Sequence, residues 1–139
     1  MAFKIFLDAN FLLDLTLKRN AFSHVSKIMQ SGINGEIELY TTPAVLHIVS
    51  YFLSKAHNAA ISKKIIGVLL NDITIIDCSH ATAVLAVNSN FEDIEDALQY
   101  YAALTHNLDY FITSDINLKK LSLPQLPVYS AKELQAMLP

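Results

Sequence analysis

Five short runs rich in β-branched and aromatic residues, separated by longer stretches with helical spacing, limit what this chain can fold into. The runs are Phe3 to Leu7, Ile37 to Tyr40, Ile73 to Ile76, Tyr110 to Thr113 and the pair Val128-Tyr129. Several are apolar on both faces, as burial between two helical layers requires. That alternation predicts an α/β fold with a mostly parallel sheet covered by helices. The helical patterns fall near Phe11 to Lys18, Ala21 to Ser31, Ala44 to Ala56, Ala59 to Leu70, His80 to Asn88, Glu92 to Thr105, Ile116 to Leu121 and Ala131 to Leu138. Gly32 and Gly35 read as a helix stop and a turn, and Pro43 suits a helix's first turn.

One domain is expected across residues 1–139, because no repeat, low-complexity tract or linker divides the chain. Hydrophobic residues make up 53% of it, enough for a real core with apolar helices left over for a homodimer contact. The single Cys78 permits no internal disulfide and fits a reducing compartment. No apolar run approaches the roughly 18 residues of a membrane helix, and Asp8 interrupts any signal-peptide pattern. The expected location is therefore the cytoplasm, with no membrane partner. A net charge of −3 argues against a general nucleic-acid coat protein.

Asp8 ends the first strand pattern, Asp115 follows the fourth, and Asp96 lies early in the helical pattern between them. In a right-handed wound sheet, a helix that follows a strand starts at that strand's carboxyl edge. Asp8, the first turn after Thr42, the first turns after Glu92, and Asp115 should thus share one edge. If the strand order is 3-2-1-4-5, it reverses between the strands carrying Asp8 and Asp115, which is where such folds bind ligands. Carboxylates gathered there would repel one another unless a cation joined them. A hard divalent ion, magnesium or manganese, is the natural occupant, and phosphodiester hydrolysis is the chemistry it supports.

Three segments carry a family resemblance: Phe6-Leu7-Asp8-Ala9-Asn10 with Leu12-Leu13-Asp14, then Asp93-Ile94-Glu95-Asp96-Ala97-Leu98-Gln99, then Ile112-Thr113-Ser114-Asp115. In this order the chain resembles the PIN-domain family, metal-dependent ribonucleases that include the VapC-type toxins of bacterial toxin–antitoxin pairs. The resemblance implies a three-layer α/β/α fold with a mostly parallel five-stranded sheet of order 3-2-1-4-5. It implies that Asp8, Asp96 and Asp115 hold Mg2+ or Mn2+, that Thr113 or Ser114 supports Asp115, and that Asp93 adds an acid at the rim. It also implies an RNA substrate and an antitoxin protein as partner. Family members commonly carry a glutamate in the helix after the second strand, and here that place falls on His47. A neutral imidazole is a poor magnesium ligand, so His47 would position a water, accept a proton or meet a phosphate instead.

Each candidate has a bland reading beside the functional one. Asp8 and Asp115 could cap the helices that follow them, and Asp93 could cap its own. Asp96 is too far inside its helix to be a cap. Asn10 is expected to cap the first helix while lining the site. Asp14, Asp72, Asp77 and Asp109 read as turn or surface acids. Lys119 and Lys120 follow Asp115 by about one turn and could reach a substrate phosphate. A PIN-like module that binds RNA or protein without cutting is the rival reading. A phosphatase with Asp8 as nucleophile ranks lower, because its pattern calls for Asp where this chain has Asn10.

Overall fold

The computed structural model describes residues 2–138. Its strands are β1 (Phe3–Leu7), β2 (Ile37–Thr41), β3 (Ile73–Ile75), β4 (Tyr110–Ile112) and β5 (Val128–Tyr129). They form one sheet in the order β3-β2-β1-β4-β5, and every neighbouring pair is parallel. The expected order is the observed one, and "mostly parallel" becomes wholly parallel. The helices are α1 (Ala9–Thr16), α2 (Phe22–Ile33), α3 (Pro43–Ala56), α4 (Ala59–Leu69), α5 (His80–Val87), α6 (Ile94–Thr105), α7 (Ile116–Lys120) and α8 (Ala131–Met137). Among the described residues no helix is long and apolar enough to cross a membrane.

Strand β1 is the centre of the sheet and of the core: Ile5, Phe6 and Leu7 are fully buried. Phe6 stacks on Phe111 of β4 at 4.7 Å between ring centroids. The parallel pairing leaves connections no choice but to cross over the sheet, and right-handed crossovers place the two directions of winding on opposite faces. On one of these crossovers Tyr100 of α6 is buried, donating to the Leu126 carbonyl and accepting from the Leu123 N–H, each at 2.7 Å. That clamp ties α6 to the loop that feeds β5.

Two local expectations change. Gly32 does not stop α2 but lies inside it, at a close approach where a Cβ would press into the Leu39 side chain of β2. The turn belongs to Gly35, whose φ of +77° favours glycine. Asn10 does not cap α1; Asp8 does, accepting the Phe11 N–H at 2.9 Å. The helix therefore starts at Ala9, two residues before the hydrophobic spacing indicated, since the cap and not the apolar stripe sets its first turn.

Candidate metal centre and active site

Three elements, β1, α6 and β4, deliver the acids to the carboxyl edge of the sheet. Asp8 leaves β1 and caps α1. Asp93 caps α6, its Oδ1 accepting the Asp96 N–H at 3.0 Å, which places Asp96 in the first turn. Asp115 follows β4 and caps α7, with Oδ1 accepting the Asn117 N–H at 2.9 Å. Each cap is a local reason for aspartate at that position. The caps also fix where the acids stand, because a capping carboxylate is held by the helix it starts.

Adjoining cavities connect them. A cleft of about 500 Å³ is bordered by Asp93, Asp96, Asp115, Asn117 and Lys120, with Phe91 as an apolar wall. A pocket of about 70 Å³ lies between Asp8, Asn10, Glu95, Asp96 and Gln99 and is backed by Val45 and Ile48. A third, of about 120 Å³, meets Asp8 from the other side with Asn10, Asp14, Thr113, Ser114 and Lys132. Asp96 thus borders the first two and Asp8 the last two.

The acids feel one another. Burial pushes Asp8 up from 3.8 to about 6; the Phe11 N–H and the Thr113 hydroxyl oppose that rise, and the charges of Asp14 and Asp115 add to it. Asp96 is likewise pushed to about 6, first by burial and then by Asp93, Asp115, Glu95 and Asp8. A site that holds carboxylates against their preference for water and against each other fits a hard divalent cation, which relieves both effects. As the side chains are placed, no three of the described His, Cys, Asp and Glu residues stand within common reach of one ion. The donor chemistry fits; convergence on one ion would need these side chains to rotate from their capping positions.

The other expected residues fall as follows. Thr113 is buried and its Oγ1 accepts the Asp115 N–H at 3.2 Å, so it shapes the turn carrying that acid. Ser114 borders the pocket beside Asp8. Lys120 borders the large cleft, whereas Lys119 is held by Glu133 of α8 at 2.6 Å. His47 is exposed, and α3 turns Val45 and Ile48 toward the pocket instead. Three lining residues were not expected. Asp14, read as a surface acid, pairs with Arg19 at 3.0 Å and raises Asp8. Glu95 and Gln99 share the small pocket. Gln99 had a signal: it stands three residues after Asp96 among apolar neighbours, on the face that the site needs.

A wholly parallel α/β sheet with an acidic crevice where its strand order reverses defines a doubly wound domain with its ligand site at the carboxyl edge of the sheet. The PIN-domain family profile matches residues 4–117, and the chain belongs to that family. PIN domains are generally nucleases and typically use divalent metals. No curated protein matches the chain significantly in sequence. Among solved structures, it is similar to VapBC2 from Rickettsia felis, bound to a DNA fragment from its promoter, at 16% identity and a TM-score of 0.68, covering 91% of this chain and 98% of that one. It is similar to VapC20 of Mycobacterium tuberculosis, a toxin cleaving the sarcin–ricin loop, at 12% identity and a TM-score of 0.68, over 88% and 98%. PAE2754 from Pyrobaculum aerophilum matches at 15% identity and a TM-score of 0.67, over 99% and 97%. At these identities the likeness is one of fold.

Proposed function

We propose that this chain is a divalent-metal-dependent endoribonuclease that hydrolyses phosphodiester bonds of single-stranded RNA, working as one domain over residues 1–139. The observation that carries the reading is that Asp8, Asp96 and Asp115, from three separate elements, border adjoining cavities at the switch point while Asp8 and Asp96 are both held near pKa 6. Asp8, Asp96 and Asp115 would hold Mg2+ or Mn2+. Such an ion supplies an activated water and neutralises charge on the phosphate. Asp93 starts α6 and adds charge at the rim, Thr113 holds the Asp115 turn, and Lys120 offers a cation to the strand.

The setting that fits best is a cytoplasmic toxin of a toxin–antitoxin pair, as in the VapC relatives. Apolar side chains left at the surface, Val84, Leu85 and Val87 on α5 and Tyr51 and Phe52 on α3, support protein partners. We read these as a second copy and an inhibitory antitoxin. A mass that stays monomeric as concentration rises would exclude the homodimer.

One observation favours the rival reading of a weakened binding module: α3 gives the pocket Val45 and Ile48 and no acid. The deciding experiment is cleavage of a mixed single-stranded RNA pool with manganese, magnesium or chelator, beside Asp96→Asn. The nuclease reading expects metal-dependent cutting that falls at least about 100-fold in the variant, the scale of losing one group that stabilises the transition state. Equal traces from both proteins at high enzyme would favour the binding module.

A further inference from the structure

Gln99 is the buried polar side chain, among the described residues, that borders the pocket between Asp8 and Asp96. It is 7% exposed. Its Oε1 accepts the hydroxyl proton of Thr42, the N-cap of α3. Thr42 Oγ1 in turn accepts the Val45 N–H at 3.3 Å and is itself buried. With its oxygen already accepting the Val45 N–H, the Thr42 hydroxyl gives its proton to Oε1, and this orientation turns Nε2 away from Thr42.

That nitrogen makes no hydrogen bond within the described chain, yet no buried side-chain nitrogen or oxygen there lacks a partner. Nε2 is therefore the atom through which Gln99 meets the pocket. Asn10 also borders the pocket, and its Oδ1 accepts from Arg19 Nη2 at 3.3 Å. The pocket pairs carboxylate acceptors with amide donors, and Val45, Ile48 and Phe111 make its remaining wall apolar. Carboxylates cannot donate to a phosphodiester's charged oxygens, but an amide N–H in apolar surroundings can, and strongly.

We propose that Gln99 is a substrate-binding residue whose Nε2 donates to a non-bridging phosphate oxygen of single-stranded RNA, and that Thr42 is the positioning residue that orients it. This rests on the nuclease reading. It assigns the polar contact to the meeting of α3 and α6, where α3 supplies the orienting hydroxyl and α6 the donor. The contact forms in the ground-state complex, so its loss raises KM more than it lowers kcat.

The test follows the Gln99 side-chain amide by 15N NMR, assigned by its disappearance in Gln99→Met, as a short single-stranded RNA is added with calcium in place of magnesium. The expected result is a shift of the Gln99 amide protons on binding. In cleavage, Gln99→Met should lower kcat/KM roughly 10–100-fold, the scale of one charge-assisted hydrogen bond, with an unchanged circular dichroism spectrum. Thr42→Val should give a smaller loss and Thr42→Ser should restore it. An unmoved Gln99 amide while Asn10 and the Asp8 and Asp115 backbones shift would overturn the proposal and leave the nuclease reading standing. No RNA binding and no shift anywhere would overturn both.

Discussion

Asp93 holds the start of the helix that carries Asp96: its Oδ1 accepts the Asp96 N–H at 3.0 Å, so one acid of the crevice positions another. The two roles of Asp93, cap and charge, can be separated by substitution. Asparagine caps as well as aspartate, whereas alanine does not. Asp93→Ala is expected to cost about 0.5–2 kcal/mol in denaturant unfolding. Asp93→Asn should keep that stability and lose far less cleavage than Asp96→Asn does; equal losses would make Asp93 a full member of the metal site.

The raised values of Asp8 and Asp96 have a defined sign in stability. Both titrate near 6 when folded against 3.8 in an exposed chain, so between those values the folded protein keeps protons that the unfolded chain has released. Their contribution to stability therefore falls as pH rises from about 4 to about 6, and stays low above that. The metal-free protein should melt at a higher temperature near pH 5 than near pH 7.5, and Asp96→Asn should flatten the difference and stabilise the protein at neutral pH. A divalent ion should reverse the trend, because it binds the deprotonated acids. Thermal melts at both pH values with and without chelator check all three statements.

Lys119 and Lys120 are neighbours in sequence with different duties. The Glu133 carboxylate, which Lys119 and the α8 cap hold down at a pKa of about 2, occupies Lys119. Lys120 has no such partner among the described residues and borders the large cleft. Lys120→Ala is expected to weaken RNA binding and reduce the slope of log K against log salt by about 0.7, the value of one single-strand phosphate contact. Lys119→Ala should leave that slope unchanged. Anisotropy titrations at several salt concentrations distinguish the two.

His47 offers a check on the α3 face. It is exposed and its neighbours Val45 and Ile48 take the wall of the pocket. His47→Ala should change stability by no more than about 0.5 kcal/mol and leave RNA cleavage near that of the parent. A large loss of cleavage without loss of fold would bring His47 into the reaction.

The sequence by itself determined the wound α/β architecture, because its cues are local: short β-rich runs apolar on both faces need burial on both sides, and the stretches between them have helical period. It also placed two of the acids at one edge of the sheet. Asp8 and Asp115 end their strand patterns, and strands that run parallel must bring those ends to one edge. Tertiary structure decided what local period cannot encode, namely which side chains meet where elements cross. Gln99 finds Thr42 across 57 positions, and Lys119 is taken by a glutamate on the last helix. Val45 and Ile48, not His47, face the acids, because the roll of α3 about its axis is set by burying Val45, Val49 and Leu53 in the core. A helix buries its apolar stripe first, and that choice fixes which of its remaining residues the site receives.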